Sequence, residues 1–283
     1  MTPEIYNHKS DLREVLAFHR AAGKSVGLVP TMGFLHEGHG TLIRHAAQSA
    51  DVVVVSIFVN PLQFGPSEDL ARYPRDLSGD VALSGECGAH LIFAPTAEDF
   101  TPADMMMQVK PGAMATALCG RSRPGHFDGV CTIVAKLFNV VQPDFAFFGW
   151  KDAQQFLILK RMVADLDFAI NMVAVETVRE SDGLAMSSRN SYLTQKERDE
   201  APTIQGALAE ALRLVAQDGE LRCDYLIDAV KRRIREGTRS KIDYVEIVSL
   251  DGLRPLDRVE PGNTLLAVAV QFPSARLIDN VRF

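Results

Sequence analysis

The run Val26-Gly27-Leu28-Val29, followed at once by Pro30-Thr31-Met32-Gly33-Phe34-Leu35-His36-Glu37-Gly38-His39, constrains this chain more than any other stretch. A short apolar run of this kind reads as a strand buried on both faces. Pro30 and Gly33 turn the chain, and two histidines three residues apart stand where a helix begins. Helix N-termini carry unpaired N–H groups and positive partial charge, which suits phosphate. Gly33 can take positive φ and lets a ligand come close to the backbone. His36 and His39 can offer hydrogen-bond donors or protons to oxygens that gain charge in a transition state. A nucleotide phosphate site at the edge of an α/β sheet follows. A His-x-x-His pair alone says little; the strand, the glycines and the Pro-Thr-Met turn carry the reading. The pair is also one residue short of the i, i+4 spacing that puts two imidazoles on one zinc, so no zinc site is expected here.

The rest of the chain alternates in the same way. Asp11 to Glu14 resembles a capping box ahead of a helix to about Ala22. Gly23-Lys24-Ser25 is not a P-loop, since Phe18 stands where that motif needs glycine. A helix to about Ser49 follows the histidine turn, and Val52 to Val59 is an apolar, β-branched run typical of a buried parallel strand. Asn60 to Pro66 and Gly120 to Gly125 read as loops by their proline and glycine content, the second rich in cations. Helices at 77–88, 127–141 and 153–166 separate strands at 91–93, 145–148 and 169–175. Strands spaced by helices give right-handed βαβ units and a parallel, Rossmann-like sheet. No G-x-G-x-x-G follows any strand, so the usual dinucleotide fingerprint is missing. After Asn190 two helices, 195–217 and 223–236, precede strands at 242–248, 264–271 and 276–282. The expected organisation is a domain over 1–187 and a smaller α+β lid domain over 188–283, in keeping with a length of 283 residues.

Composition narrows the function classes. A formal net charge of −6 argues against a general nucleic-acid binder. The basic run Lys231-Arg232-Arg233-Ile234-Arg235 is flanked by acidic residues and reads as a solvated helix face. Cys87, Cys119, Cys131 and Cys223 have neither CxxC nor metal-ligand spacing and read as reduced, packed thiols. The N-terminal residues lack a basic and then apolar secretory pattern, and no apolar run approaches membrane-spanning length. A cytoplasmic enzyme without membrane or nucleic-acid partners is expected.

Four blocks read together are more specific than any one: Pro30–His39, Val59–Gly65, Gly149-Trp150-Lys151-Asp152-Ala153-Gln154-Gln155, and Asp182–Asn190 with Met186-Ser187-Ser188-Arg189 inside it. In this order they resemble the pantoate–β-alanine ligase family, over nearly the whole chain. The histidine motif alone would indicate only the wider nucleotidyltransferase superfamily, and a nucleotidyltransferase that leaves the nucleotide on its acceptor is the second reading. A tRNA-recognising fragment ranks last, because residues 190–283 show a single basic run.

The resemblance implies ATP-dependent activation of pantoate as an acyl-adenylate, then attack by β-alanine to give pantothenate and AMP. It implies ATP contacts from Met32, Gly33, Phe34, Leu35, His36, Glu37, Gly38 and His39, from Gly149, Trp150, Lys151 and Asp152, from the backbone of Val178, and from Met186, Ser187, Ser188 and Arg189. His39 would donate to the phosphates with His36 as its partner, and Lys151 would supply a compact cation. Gln63 and Gln155 would orient pantoate, because amides hold a carboxylate and hydroxyls without neutralising the nucleophile. Asn60 and Tyr73 are second-rank candidates. Trp150 departs from the glutamate common in the family. Mg²⁺ is expected with the polyphosphate, its ligands unassigned, and a homodimer is implied by the resemblance alone.

Overall fold

The computed structural model describes residues 2–65, 68 and 70–283. Pro66, the end of the expected 60–66 loop, and Met1 lie outside the described residues.

Among the described residues, six strands form one all-parallel sheet in the order β1-β4-β3-β2-β5-β6. They are β1 (Glu4–Tyr6), β2 (Val26–Thr31), β3 (Val52–Ile57), β4 (Leu91–Phe93), β5 (Phe145–Gly149) and β6 (Asn171–Val175). The helices between them are α1 (Lys9–Ala21), α2 (Glu37–Ser49), α3 (Leu77–Glu86), α4 (Ala97–Phe100), α5 (Cys119–Ser122), α6 (His126–Val141) and α7 (Ala153–Asp165). From β2 the chain winds outward through β3 to β4, then returns to place β5 on the other side of β2. The reversal makes the gap between β2 and β5 the place where an open α/β sheet receives a ligand, at the carboxyl ends of its strands.

The C-terminal part holds α8 (Gln195–Glu200), α9 (Thr203–Asp218) and α10 (Cys223–Gly237), then an antiparallel sheet of β7 (Lys241–Ser249), β8 (Thr264–Gln271) and β9 (Arg276–Arg282). One face of that sheet packs its Val245, Ile247, Leu266 and Val268 against α9 and α10. The other turns Tyr244, Val248, Leu265 and Ala267 into the same core as α6 and α7. The two parts therefore share apolar packing. Among the described residues no helix is long and apolar enough to cross a membrane.

Several boundaries differ from expectation for identifiable reasons. The first helix starts at Lys9 with His8 at its N-cap, so Asp11 lies inside the first turn and accepts from Ser10 Oγ at 2.7 Å rather than capping. The expected helix over 195–217 is two helices, because Pro202 has no N–H to continue the ladder. Within the Gly120–Gly125 loop a short helical turn, α5, is present, and Pro61–Gln63 form a 3₁₀ turn capped by Asn60. Strand β1 is only three residues long and too short for a period to show. The four cysteines are buried and free.

Candidate active site

Four neighbouring strands deliver the four motif blocks to one edge of the sheet. After Thr31 at the end of β2 come Met32 to His39; after Ile57 of β3 come Asn60 and Gln63; after Gly149 of β5 come Lys151 and Asp152; after Val175 of β6 come Val178 and the 186–189 segment. They enclose a cleft of about 240 Å³ lined by Met32, His36, Gly38 and His39, by Gln63, and by Gly149, Lys151, Asp152 and Gln155. Val178 and Met186 to Arg189 close the opposite wall, and Asn60 and Tyr73 also face in. A larger chamber of about 600 Å³ adjoins it, sharing Arg123, His126, Lys151, Asp152, Gln155, Ser187 and Arg189.

The histidine turn is built by reciprocal capping. Gly38 N–H donates to His36 Nδ1 at 3.1 Å, and His36 N–H donates to His39 Nδ1 at 3.2 Å, with the two rings 4.2 Å apart. A ring nitrogen that accepts cannot carry the proton, so both imidazoles are held as the tautomer protonated at Nε2. Burial, with Lys151 nearby, lowers the His36 pKa to about 4. Burial, then His36 and Lys151, lowers that of His39 to about 3. At neutral pH the pair is uncharged and offers two fixed N–H donors to the cleft. As neutral rings they can donate hydrogen bonds but carry no extra proton to give.

Other expected contacts shape the turn instead of lining the cleft. Gly33 has φ of +81°, and a Cβ there would meet Asp80 Oδ2 at 2.9 Å and Ile57 at 3.1 Å. Phe34 and Leu35 donate their N–H groups to the Asp80 carboxylate at 3.0 and 2.6 Å. Glu37 is exposed and pairs with Arg44. Trp150 is buried against Phe156, with the Arg282 guanidinium 4.3 Å over its ring, and its side chain is absent from the cleft wall. The tryptophan that departs from the family pattern is thus a packing residue.

The remaining side chains are fixed from behind. Gln63 Oε1 accepts from Asn60 Nδ2 at 3.0 Å, and Gln63 Nε2 lies 3.0 Å from the Met32 sulfur. The segment leading to Ser187 is tied down at several points. Met186 N–H donates to Val178 O at 2.9 Å, Asn190 Nδ2 to Glu180 at 2.9 Å, and Arg198 bridges Glu180 and Asp182 at 2.6 and 2.5 Å. Tyr73 OH lies 3.4 Å from Ser188 Oγ.

Three groups at the site were not found by sequence reasoning. Asp80 reaches the histidine turn from 46 residues away, and no local pattern marks it. Arg123 sits in the cation-rich Gly120–Gly125 loop, and His126 is the first residue of α6 just after it. Arg123 forks onto Glu68 at 2.6 and 2.5 Å, and His126 Nδ1 is 2.8 Å from Gln63 O. Burial, then Arg123, lowers the His126 pKa to about 4.

The family model for pantoate-beta-alanine ligase matches residues 4–282. The chain belongs to the pantoate–β-alanine ligase family. It is 49% identical over 277 residues to the pantothenate synthetase of Geobacillus thermodenitrificans, covering 98% of this chain and 95% of that protein. Identity to the Moorella thermoacetica pantothenate synthetase is 50% over 278 residues, 98% of each chain. Among solved structures, the pantothenate synthetase of Thermus thermophilus is similar with a TM-score of 0.92 at 45% identity, covering 99% of both chains. The pantoate–β-alanine ligase of Francisella tularensis, determined with β,γ-ATP and β-alanine, is similar with a TM-score of 0.79 at 29% identity, over 99% of this chain and 97% of that one. The chain is accordingly an ATP-dependent carbon–nitrogen ligase that joins pantoate to β-alanine.

Proposed function

We propose that the cleft between β2 and β5 carries out the ligation in two steps, through a pantoyl-adenylate. The pantoate carboxylate attacks the α-phosphorus, pyrophosphate leaves, and the β-alanine amine then displaces AMP from the acyl carbon. Charge grows on phosphate oxygens in the first step, so fixed donors aimed at them dominate catalysis. The carrying observation is the neutral His36–His39 pair, locked with both Nε2–H groups available at the edge where Lys151 and Arg189 also face in.

In this reading His36, His39, Lys151, Ser187, Ser188 and Arg189 hold the polyphosphate, and the backbone of Val178 holds the adenine. Gln63 and Gln155 orient pantoate, with Asn60 and Tyr73 beside them. Residues 188–283 act as the lid domain over the nucleotide.

Mg²⁺ fits this donor set in a limited way. Among the described residues no group of three or more His, Cys, Asp or Glu side chains could hold a metal by itself. Mg²⁺ commonly arrives on the phosphates, keeps several waters and takes one or two carboxylates. Asp152 is the carboxylate placed for that, and the ion would neutralise polyphosphate charge. A homodimer and a cytoplasmic location are proposed from family membership.

The test is incubation with ATP, Mg²⁺, pantoate and β-alanine, with omission controls read by mass spectrometry. ATP and pantoate without amine should release pyrophosphate in a burst near one per site and then stall, because the closed site excludes water from the adenylate. Steady release of pyrophosphate and AMP without amine would overturn the protected intermediate. A product that keeps the nucleotide would point to the transferase reading.

A further inference from the structure

The last strand of the chain is wired to both walls of the nucleotide cleft. Asp279 and Asn280 are consecutive on β9, so their side chains leave opposite faces. Both are buried, at 4% and 5% exposure. Asn280 Nδ2 donates to the carbonyls of Trp150 and Lys151, at 3.0 Å each. That turn carries Lys151 and Asp152 into the cleft. Two acceptors facing one side-chain amide fix its orientation, because only the nitrogen can donate to both. Asp279 forks onto Arg179 at 2.6 and 3.0 Å, and Arg179 also reaches Gly183 O at 3.1 Å, on the segment that leads to Ser187 and Arg189. Arg282, two residues on, pairs with Glu176 while it covers Trp150.

These contacts do more than dock one sheet on another. The turn over 150–152 follows a strand end and has no side-chain cap of its own, and Asn280 holds it from outside by donating to two of its carbonyls. The same strand grips the opposite wall through Asp279. We propose that Asn280 is a positioning residue for Lys151, and that β9 sets the distance between the Lys151 turn and the Ser187–Arg189 wall. The inference rests on Lys151 contacting the polyphosphate, and the experiment separates the two claims.

The experiment is a double-mutant cycle on the intact chain, read by single-turnover pyrophosphate release with ATP, Mg²⁺ and pantoate. Pantoate affinity and thermal melting are measured alongside. Asn280→Ala should slow adenylation on the order of 10- to 100-fold, the scale of a small misplacement of a catalytic group. It should change pantoate affinity less than it changes the rate, since Gln63 stands on another strand and only Gln155 follows the turn. Asn280→Asp, nearer in shape, should be slower still, because it sets carboxylate oxygens against two carbonyls. In a Lys151→Ala background, Asn280→Ala should change the rate by less than about twofold, because groups acting as one unit are not additive.

A full repeat of the loss in that background would overturn the proposal, as would an unchanged rate in folded Asn280→Ala. If Asn280→Ala fails to fold, Asn280→Ser, which retains one donor, takes its place in the cycle. If neither variant folds, Asn280 is a stability residue and the proposal falls. Should Lys151→Ala by itself leave adenylation intact, the polyphosphate role of Lys151 fails instead, and the two failures are distinct.

Discussion

Gln154 and Gln155 are neighbours of identical chemistry with separate tasks. Gln154 is buried and spends its amide on protein: its Oε1 accepts from Cys119 N–H at 3.0 Å, and its Nε2 donates to the Met114 and Ala117 carbonyls at 3.0 and 2.8 Å. Gln155 faces both chambers. Gln154→Ala should therefore lower the melting temperature, since buried groups left without partners each cost about 1–3 kcal/mol. Gln155→Ala should instead weaken pantoate binding by about 0.5–1.5 kcal/mol, the usual worth of a neutral hydrogen bond, and leave ATP affinity largely intact. Calorimetric titration with each ligand decides: loss of ATP binding alone would move Gln155 to the nucleotide site. At the histidine turn, His39→Ala should cost on the order of 10²–10³ in adenylation rate through loss of a preorganised donor. It also breaks the capping box, at roughly 1 kcal/mol of stability, so the variant should still fold. Near wild-type single-turnover adenylation by that folded variant would remove His39 from the chemistry.

At the scale of elements, what the sequence made legible followed from locality. The strand and turn at Val26–His39 signal themselves through apolar run, proline, glycine and histidine within fourteen residues. The 145–149 and 171–175 strands carry the same kind of signal, and the alternation implied the parallel sheet. Asp80, Arg123, His126 and Asn280 carried none, because each acts on a segment far away in sequence and is ordinary where it stands. Trp150 illustrates the limit from the other side. Its motif position suggested a cleft contact, whereas packing under Arg282 decides where the ring goes. Close approach of elements is likewise invisible in one dimension. A Cβ on Gly129 of α6 would lie 2.2 Å from Leu62 O and 2.6 Å from Gln63 N, backbone atoms that have no rotamer to yield. Gly129→Ala should push the 61–63 turn off α6, cost about 1–3 kcal/mol as overpacking does, and weaken pantoate binding more than ATP binding. Melting and paired titrations check it; unchanged pantoate affinity would mean that the turn can shift without moving Gln63.

The molecule as a whole sets three partly buried, neutral histidines around its cleft, and this couples stability to pH in a definite direction. His36 and His126 are lowered to about 4 and His39 to about 3, chiefly by burial, whereas an unfolded imidazole titrates near roughly 6.5. Above that value both states are neutral and the three residues contribute no pH dependence. As the pH falls below it, the unfolded chain binds protons that the folded chain refuses, so stability declines until the folded values are passed. The ligand-free protein should therefore lose stability steadily between about pH 6.5 and pH 4. His126 allows the effect to be separated from catalysis, since its ring lies between Gln63 O at 2.8 Å and Arg123 at 3.0 Å. His126→Asn cannot take up a proton in either state, so its stability should fall less steeply with acid than that of the native chain, whatever its stability at pH 8. Denaturant melts at half-unit pH intervals measure both slopes. Parallel slopes would show that His126 is protonated as readily in the folded protein as in the unfolded chain, contrary to its burial.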